Sequence, residues 1–215
     1  MSKNCCTFAL EMLITTKAIV LNLQRHGDHS HILHTYTQSG GRVNFLVYGA
    51  GSKKKSAALY APLTVLEVTA DIRPDRPIST LKEAHLLPTS IEPLQLPTEN
   101  SPLVLTSIKI FIAEMLYRIL RHPMADETLY DFLEQSITLL RHTTTPQDFH
   151  AEFLVGFASR LGFAIDDTEH PELLRTPVSR TDRQLLLRQL CDYYAQHVDD
   201  FQYPLSLDVL MEVFD

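Results

Sequence analysis

The spacing of apolar residues changes near residue 87, and this change limits the folds open to the chain. Before it, four segments rich in β-branched and aromatic residues favour strands: LITTKAIVLNL, HILHTYT, RVNFLVYGA and LTVLEVTAD. Gly27, the pair Gly40 and Gly41, and two prolines supply the turns between them. The connections are too short for helical crossovers, so the strands are expected to pair antiparallel. We predict an antiparallel β-barrel of the OB type over residues 12–87.

The second half of the chain has helical periodicity instead. Prolines at positions 88, 93, 97 and 102 mark a linker over residues 88–102. The next run places Ile108, Phe111, Ile112 and Met115 on one helical face, and four further runs follow, the last of them short. The predicted fold is therefore α+β, with four parts: an N-terminal extension 1–11, the barrel 12–87, the linker 88–102 and an all-α helical domain 103–215.

The net charge of −7 hides an uneven distribution along the chain. Residues 1–85 carry ten Lys or Arg and six Asp or Glu, whereas residues 86–215 carry nine and twenty. The barrel half is thus positive by four charges and the helical half negative by eleven. A basic module of this kind can attract a polyanion although the whole molecule is anionic.

The stretch VYGAGSKKKS, residues 47–56, carries the densest positive charge. It does not form a nucleotide-binding P-loop, because the second glycine of that motif would fall at position 54, which is a lysine. Lys53, Lys54 and Lys55 can neutralise phosphates without reading bases, although a solvated charged turn explains the spacing equally well. Arg25 and Arg42, in neighbouring turns, favour a shared basic face for nucleic acid.

Aromatic residues of the barrel half are candidate platforms for unpaired bases. They are Tyr36, Phe45, Tyr48 and Tyr60. Rings of this kind lie more often in a core than on a binding surface.

The helical half offers a different kind of site. Arg118, Arg121 and Arg141 are candidates for the rim of a groove between helices, which would accept an acidic peptide with apolar residues at its tip.

Support for catalysis or a cofactor is weak. The chain has no G-x-S-x-G, no H-E-x-x-H and no glycine-rich dinucleotide turn. His26, His29, His31 and His34 raise the possibility of a metal site, but only Asp28 joins them, and we predict neither a metal nor a cofactor. Three cysteines and the lack of an apolar run of about 18–20 residues favour a cytoplasmic, nucleoid-associated protein.

Several features in order resemble the RecO family. They are an AIVL strand, an IL-x-x-YT strand, a G-x-x-x-F-x-x-x-GA strand, and a basic loop that ends in serine before PL. The likeness continues in LGF, residues 161–163, and in YYAQHVDDFQYPLSLDVLMEVF, which is similar to the ending of Bacteroides-type members.

The resemblance implies an OB barrel, a helical domain and a non-enzymatic role in DNA repair and recombination. It implies binding of single- and double-stranded DNA, annealing of complementary strands and a complex with RecR that helps load the recombinase RecA. It also implies that the acidic C-terminal tail of single-strand-binding protein docks on the helical domain. Lys53, Lys54 and Lys55 match the family's basic barrel loop, and Arg25 and Arg42 fall in matching strand-turn positions. Many members carry four zinc-binding cysteines just after LGF, but this sequence has none there.

Two other functions stay open on the sequence. In the first, the barrel is a protein-interaction adaptor without direct nucleic-acid binding, and its lysines only keep it soluble. In the second, the Asp- and His-rich surface serves a hydrolase.

Overall fold

The computed structural model describes residues 13–49, 58–72, 76–87, 101–143 and 146–213. The described part of the N-terminal half forms a closed barrel of five strands in the order β1-β2-β3-β5-β4. The strands are β1 (Leu13–Arg25), β2 (Ser30–Thr37), β3 (Gly41–Tyr48), β4 (Val65–Asp71) and β5 (Ser79–Leu86). The extension 1–11 and residues 88–100 of the linker lie outside the described residues.

Most neighbouring strands pair antiparallel, as expected, but β3 and β5 close the barrel in parallel. The parallel pairing joins only Phe45 with Ser79 and Leu46 with Thr80. The barrel is therefore mixed. All other neighbouring strands in the barrel are antiparallel, and the short parallel contact between β3 and β5 closes the barrel.

The barrel interior is built by alternation along the strands. On β3, Val43, Phe45 and Val47 are buried while the residues between them are only partly covered. Successive side chains of a strand point to opposite faces, so these three fill the interior together. They pack with Ala18, Val20, Leu33, Leu66, Val68 and Ala70 from the other strands.

Five α-helices follow in the described C-terminal half. They are α1 (Ser101–Ile119), α2 (Glu127–His142), α3 (Phe149–Arg160), α4 (Arg180–His197) and α5 (Ser206–Val213). Side-chain caps start two of them, because Asp126 accepts a hydrogen bond from the Leu129 amide and Ser179 accepts one from the Asp182 amide. Two short 3-10 turns, Pro146–Asp148 and Pro171–Leu173, connect the middle helices.

Strand β1 is buried on both faces. Ala18 and Val20 point into the barrel, whereas Ile19 and Leu21 belong to the core of the helical domain. Burying an aliphatic side chain of this size contributes about 1.5–3 kcal/mol, so the two outward residues attach the barrel firmly to the helices. The outer face of the barrel and the helices therefore share one core, separate from the barrel interior, and Tyr36, Leu63 and Val65 also contribute to it from the barrel.

Polar and close-packed contacts reinforce this attachment. The Lys17 ammonium donates to both carboxylate oxygens of Glu134 on α2 at 2.9 Å. The ring of Tyr36 stacks on Tyr130 with centroids 6.5 Å apart. At the β2–β3 turn, Gly41 has a φ of 63°, and a Cβ there would collide with the backbone of Met124. A glycine is thus required both by the turn and by the approach of the helical domain.

We expect Gly41→Ala to destabilise the protein by about 2 to 4 kcal/mol, because left-handed strain adds to a backbone collision. Gly162→Ala is the matched control: Gly162 has a φ of 89°, but nothing lies within 4 Å of a Cβ there. That change should cost only about 1 kcal/mol, the conformational part alone. Urea denaturation of the two variants checks the difference. Equal losses of stability would contradict the close approach between the two domains.

Candidate nucleic-acid interface

A groove opens on the barrel where β3 and β5 separate. Their pairing ends at Leu46 and Thr80, and the next residues of the two strands line a cavity of about 310 Å³. Tyr48 from β3, Tyr60 from the segment before β4, and Lys82 from β5 are among the lining residues. The short parallel contact therefore produces a surface concavity that carries two aromatic rings and a cation.

The four candidate stacking rings lie in different environments. Tyr48 is 75% exposed, and Tyr60 is half-buried, with its pKa raised by burial. Tyr36 is only 2% exposed under the helical domain, and Phe45 is fully buried inside the barrel. Bases cannot reach the last two in this structure. Tyr48 and Tyr60 are the candidates that share the groove.

Lys53, Lys54 and Lys55 lie outside the described residues. Their position in the sequence nevertheless relates them to the groove. Tyr48 comes five residues before Lys53, and Tyr60 comes five residues after Lys55. Two residues that line the groove therefore flank the three lysines in the sequence at equal distances.

Arg25 lies at the exposed end of β1. Its side chain is 74% exposed, its Nε donates to the Gly27 carbonyl at 3.2 Å, and a terminal nitrogen lies 3.8 Å from the Asp28 carboxylate. Exposed pairs of this kind contribute little to stability. The guanidinium stays accessible to an anion, although Asp28 partly offsets its charge.

Arg42 is used inside the molecule. Its guanidinium lies 4.5 Å from the centroid of the Tyr117 ring and donates to the backbone carbonyls of Tyr117 and Leu120 at 3.3 and 3.4 Å. These carbonyls lie at the C-terminal end of α1, where a cation is favoured. Burial lowers the pKa of Arg42 to about 10, which still leaves it charged at neutral pH. A DNA contact by Arg42 stays a prediction, but these partners give it a role between the domains.

A neighbouring network fixes the orientation of Arg42. Its Nε donates to Asn44 Oδ1 at 3.3 Å, and the same oxygen lies 2.7 Å from His34 Nδ1. The His34 ring in turn packs edge-on against Tyr117 at 5.0 Å. Burial lowers the pKa of His34, and the nearby Arg42 charge lowers it further. The hydrogen bond with Asn44 acts to raise the pKa but does not outweigh these two effects. His34 is thus part of a hydrogen-bonded contact between the domains.

Lys82 was not found by sequence reasoning. It lies on β5, 34 positions after Tyr48, and joins the groove only because β3 and β5 are neighbours. Glu83 also lines the groove, and its carboxylate lies 3.4 Å from His85 Nε2. No local pattern in the sequence indicates these contributions, since they depend on the parallel closure.

The predicted arginine-rimmed groove of the helical domain does not form as one site. Arg118 donates to the Glu114 carboxylate at 2.9 and 2.5 Å, and to Gln202 at 3.1 Å. Arg121 donates to the carbonyls of Arg118 and Asp200 at 2.6 and 2.7 Å. Both cations therefore brace the connection between α4 and α5.

Glu114 is the centre of that brace. Besides Arg118, it accepts hydrogen bonds from the amides of Leu205 and Ser206 at 2.9 Å, and from the Ser206 hydroxyl at 2.6 Å. Burial acts to raise the pKa of Glu114, but these hydrogen bonds outweigh it and the net pKa is lowered. The ionised carboxylate thus caps the N-terminal end of α5.

Arg141 lines a separate pocket at the seam between barrel and helices. This pocket of about 250 Å³ also includes Lys109 and Ile110 of α1, and Pro62 and Leu63 of the barrel. Burial and the nearby Arg141 charge lower the pKa of Lys109. The pocket thus combines two cations with apolar walls, and Lys109 was missed by sequence reasoning.

Among the residues that the structure describes, no group of three or more His, Cys, Asp or Glu has the arrangement of a metal site. Within the same ranges, no helix is both long and apolar enough to cross a bilayer. Cys191 is buried, which raises the pKa of its thiol to about 12.

Comparison with known proteins matches both halves of the chain. The family model for the recombination protein O N terminal domain matches residues 12–89, and that for the C terminal domain matches residues 103–171. The DNA repair protein RecO of Phocaeicola vulgatus is 31% identical over 94% of this chain and its own full length. The proteins of the same name from Flavobacterium psychrophilum and Porphyromonas gingivalis are 30% and 29% identical, over 94% and 95% of this chain and their full lengths.

The chain belongs to the RecO family. This is a family of non-enzymatic recombination mediators that act in DNA repair. Family membership therefore favours a mediator over the hydrolase that the sequence left open. The barrel corresponds to the N-terminal RecO domain, and the C-terminal match begins at the third residue of α1 and extends beyond α3.

Aromatic packing fixes the segment of this RecO-family chain that follows LGF, residues 161–163. The Phe163 ring stacks on His197 at 5.1 Å, and His170 packs edge-on against Tyr193 at 5.3 Å. The Tyr193 hydroxyl donates to the carbonyls of Phe163 and Ala164 at 3.3 and 3.4 Å. These contacts hold residues 163–170 against α4 with ring stacking and hydrogen bonds.

The two described arginines of the predicted DNA site can be told apart by mutation. We expect Arg42→Met to lower the stability of this RecO-family protein by about 2 to 3 kcal/mol, because charge-assisted hydrogen bonds and a cation–π contact are lost. Because these internal partners already use the guanidinium, we expect no change in the salt dependence of DNA binding, a result that would remove Arg42 from the predicted DNA site. Arg25→Met is the control, with a stability change within about 0.5 kcal/mol. Thermal unfolding and DNA titrations over a salt series provide both measurements; a stable Arg42→Met protein with a smaller salt slope would contradict this assignment.

Proposed function

We propose that the barrel of this protein binds single- and double-stranded DNA through phosphate contacts, anneals complementary strands and, together with RecR, helps load the recombinase. Membership of the RecO family supports this proposal. The observation that carries it is a concavity lined by Tyr48 and Tyr60, the two tyrosines that flank the three lysines in the sequence. Such a combination of cations and accessible rings is typical of surfaces that hold single strands.

The charge distribution supports the same surface. The excess of negative charge lies in the helical half, so the potential is expected to favour a polyanion on the barrel side only. Lys53, Lys54 and Lys55 would release counterions from the phosphates they contact, and Arg25 would add one exposed cation. Phosphate contacts hold a strand without covering its pairing edges, which allows a complementary strand to anneal to it.

A triple Lys53→Ala, Lys54→Ala, Lys55→Ala variant tests the proposed phosphate contacts. We expect the slope of log affinity against log salt for a single strand to decrease by up to about 2, at about 0.7 per lost contact. Fluorescence anisotropy with a labelled oligonucleotide over a salt series measures it.

The matched control removes the same charge from the acidic half. Arg175, Arg180 and Arg188 are exposed residues of the helical domain, and their replacement by Ala should leave the salt slope unchanged. Equal decreases in the two triple variants would show a long-range charge effect rather than a site. An unchanged slope in the lysine variant would favour the alternative function, a protein-interaction adaptor.

We propose further that the acidic tail of single-strand-binding protein docks in the seam pocket, the cavity between barrel and helices that contains Lys109 and Arg141. Its apolar walls, Pro62, Leu63 and Ile110, suit an apolar peptide tip, and the two cations suit its carboxylates. Arg118 and Arg121 are less suited to this role, because the carboxylate and carbonyls of the α4–α5 brace already accept their hydrogen bonds.

Lys109→Ala should weaken binding of a labelled C-terminal peptide of single-strand-binding protein by about tenfold, the loss expected for one charge-assisted hydrogen bond. Arg121→Ala is the control, because Arg121 belongs to the peptide groove predicted from the sequence but lies at the α4–α5 connection. This variant should bind the peptide like the unmodified protein. Isothermal titration measures both affinities. The reverse result, with loss only in Arg121→Ala, would place the peptide at the α4–α5 connection instead.

A further inference from the structure

The groove between β3 and β5 differs in character from a surface that only attracts phosphates. Tyr48 presents a ring that is 75% exposed, although a large aromatic side chain at the end of a strand usually packs against a neighbour. The opposite wall is the outer part of β5, with Thr80 and Lys82. The volume of about 310 Å³ lies at the lower end of the range of about 300–1,000 Å³ that is typical of small-molecule pockets.

We propose that this groove holds one unstacked base of a single strand, with the base lying on Tyr48 and bordered by Tyr60. This proposal rests on the proposed DNA-binding function and adds the class of group that the groove accepts. Stacking on an aromatic side chain tolerates every base, because each has a π-face, so the site does not select a sequence.

The charges of the groove lining give a phosphate no net attraction. Lys82 and Glu83 both line the groove, and the Glu83 side chain is 67% exposed next to His85. Because these two opposite charges offset each other, the lining suits a neutral base at least as well as a phosphate.

The consequence for function is a distinction between single and double strands. Bases of a duplex are paired and stacked, so inserting one into the groove would require it to be unstacked, at a cost of a few kcal/mol. The groove therefore contributes to binding of a single strand and not to binding of the annealed product. Annealing would remove this contact and help release the duplex from the barrel.

Tyr48→Ala tests the contact, because the residue is exposed and its loss should not affect folding. Affinity for a dT oligonucleotide should fall by roughly 5- to 150-fold, the range for one base–aromatic stack, while affinity for a duplex should not change. Tyr48→Phe keeps the ring and should bind like the unmodified protein. Tyr203→Ala removes another exposed ring, from the helical domain, and should also have no effect.

An oligonucleotide of the same length that lacks bases completes the experiment. It presents the same phosphates, so the unmodified protein should bind it as weakly as Tyr48→Ala binds the dT strand. If the abasic strand binds as tightly as the dT strand and Tyr48→Ala has no effect, the groove does not hold a base, although salt-dependent binding would leave the proposed function intact. If no strand binds at low salt, the proposed function itself fails.

Discussion

The burial of strand β1 on both faces is the constraint from which the rest of the architecture follows. Ile19 and Leu21 face the helices while Ala18 and Val20 face the barrel interior, so this strand belongs to two cores at once. Helix α1 packs directly on β1. The position of the helices fixes which outer surface of the barrel is covered and which stays open, and the groove between β3 and β5 lies on the open side.

Much of the fold is predictable because its elements obey local rules. The strands alternate, as Val43, Phe45 and Val47 show, and the helices repeat their apolar residues at helical spacing, as Ile108, Ile112 and Met115 show. The parallel closure is different. It pairs Leu46 with Thr80, which are separated in the sequence by all of β4 and its two connections. The short connections between consecutive strands favour antiparallel pairing instead. No nearby residue indicates this closure.

The candidate site was only partly predictable, and the reason is the second domain. Tyr36 and Tyr48 both lie on strands that lead into turns, so the sequence does not distinguish them, yet one is covered by Tyr130 and the other is exposed. Arg42 and Arg25 differ in the same way, because the end of α1 reaches only the first. Lys82 and Lys109 join their pockets through contacts between distant segments. A residue type indicates what a side chain can bind, but the contact between domains decides whether it is available.

The cap that Glu114 provides for α5 has a consequence for the order in which the protein matures on the ribosome. The amides that this carboxylate binds are made 91 and 92 positions later in the chain. Until then the carboxylate has Arg118 beside it and water where α5 later packs. Nascent chains that stop before Ser206 would leave the apolar side of α1 that faces α5 exposed to solvent. The last helix therefore completes the core of the helical domain only when translation is almost finished.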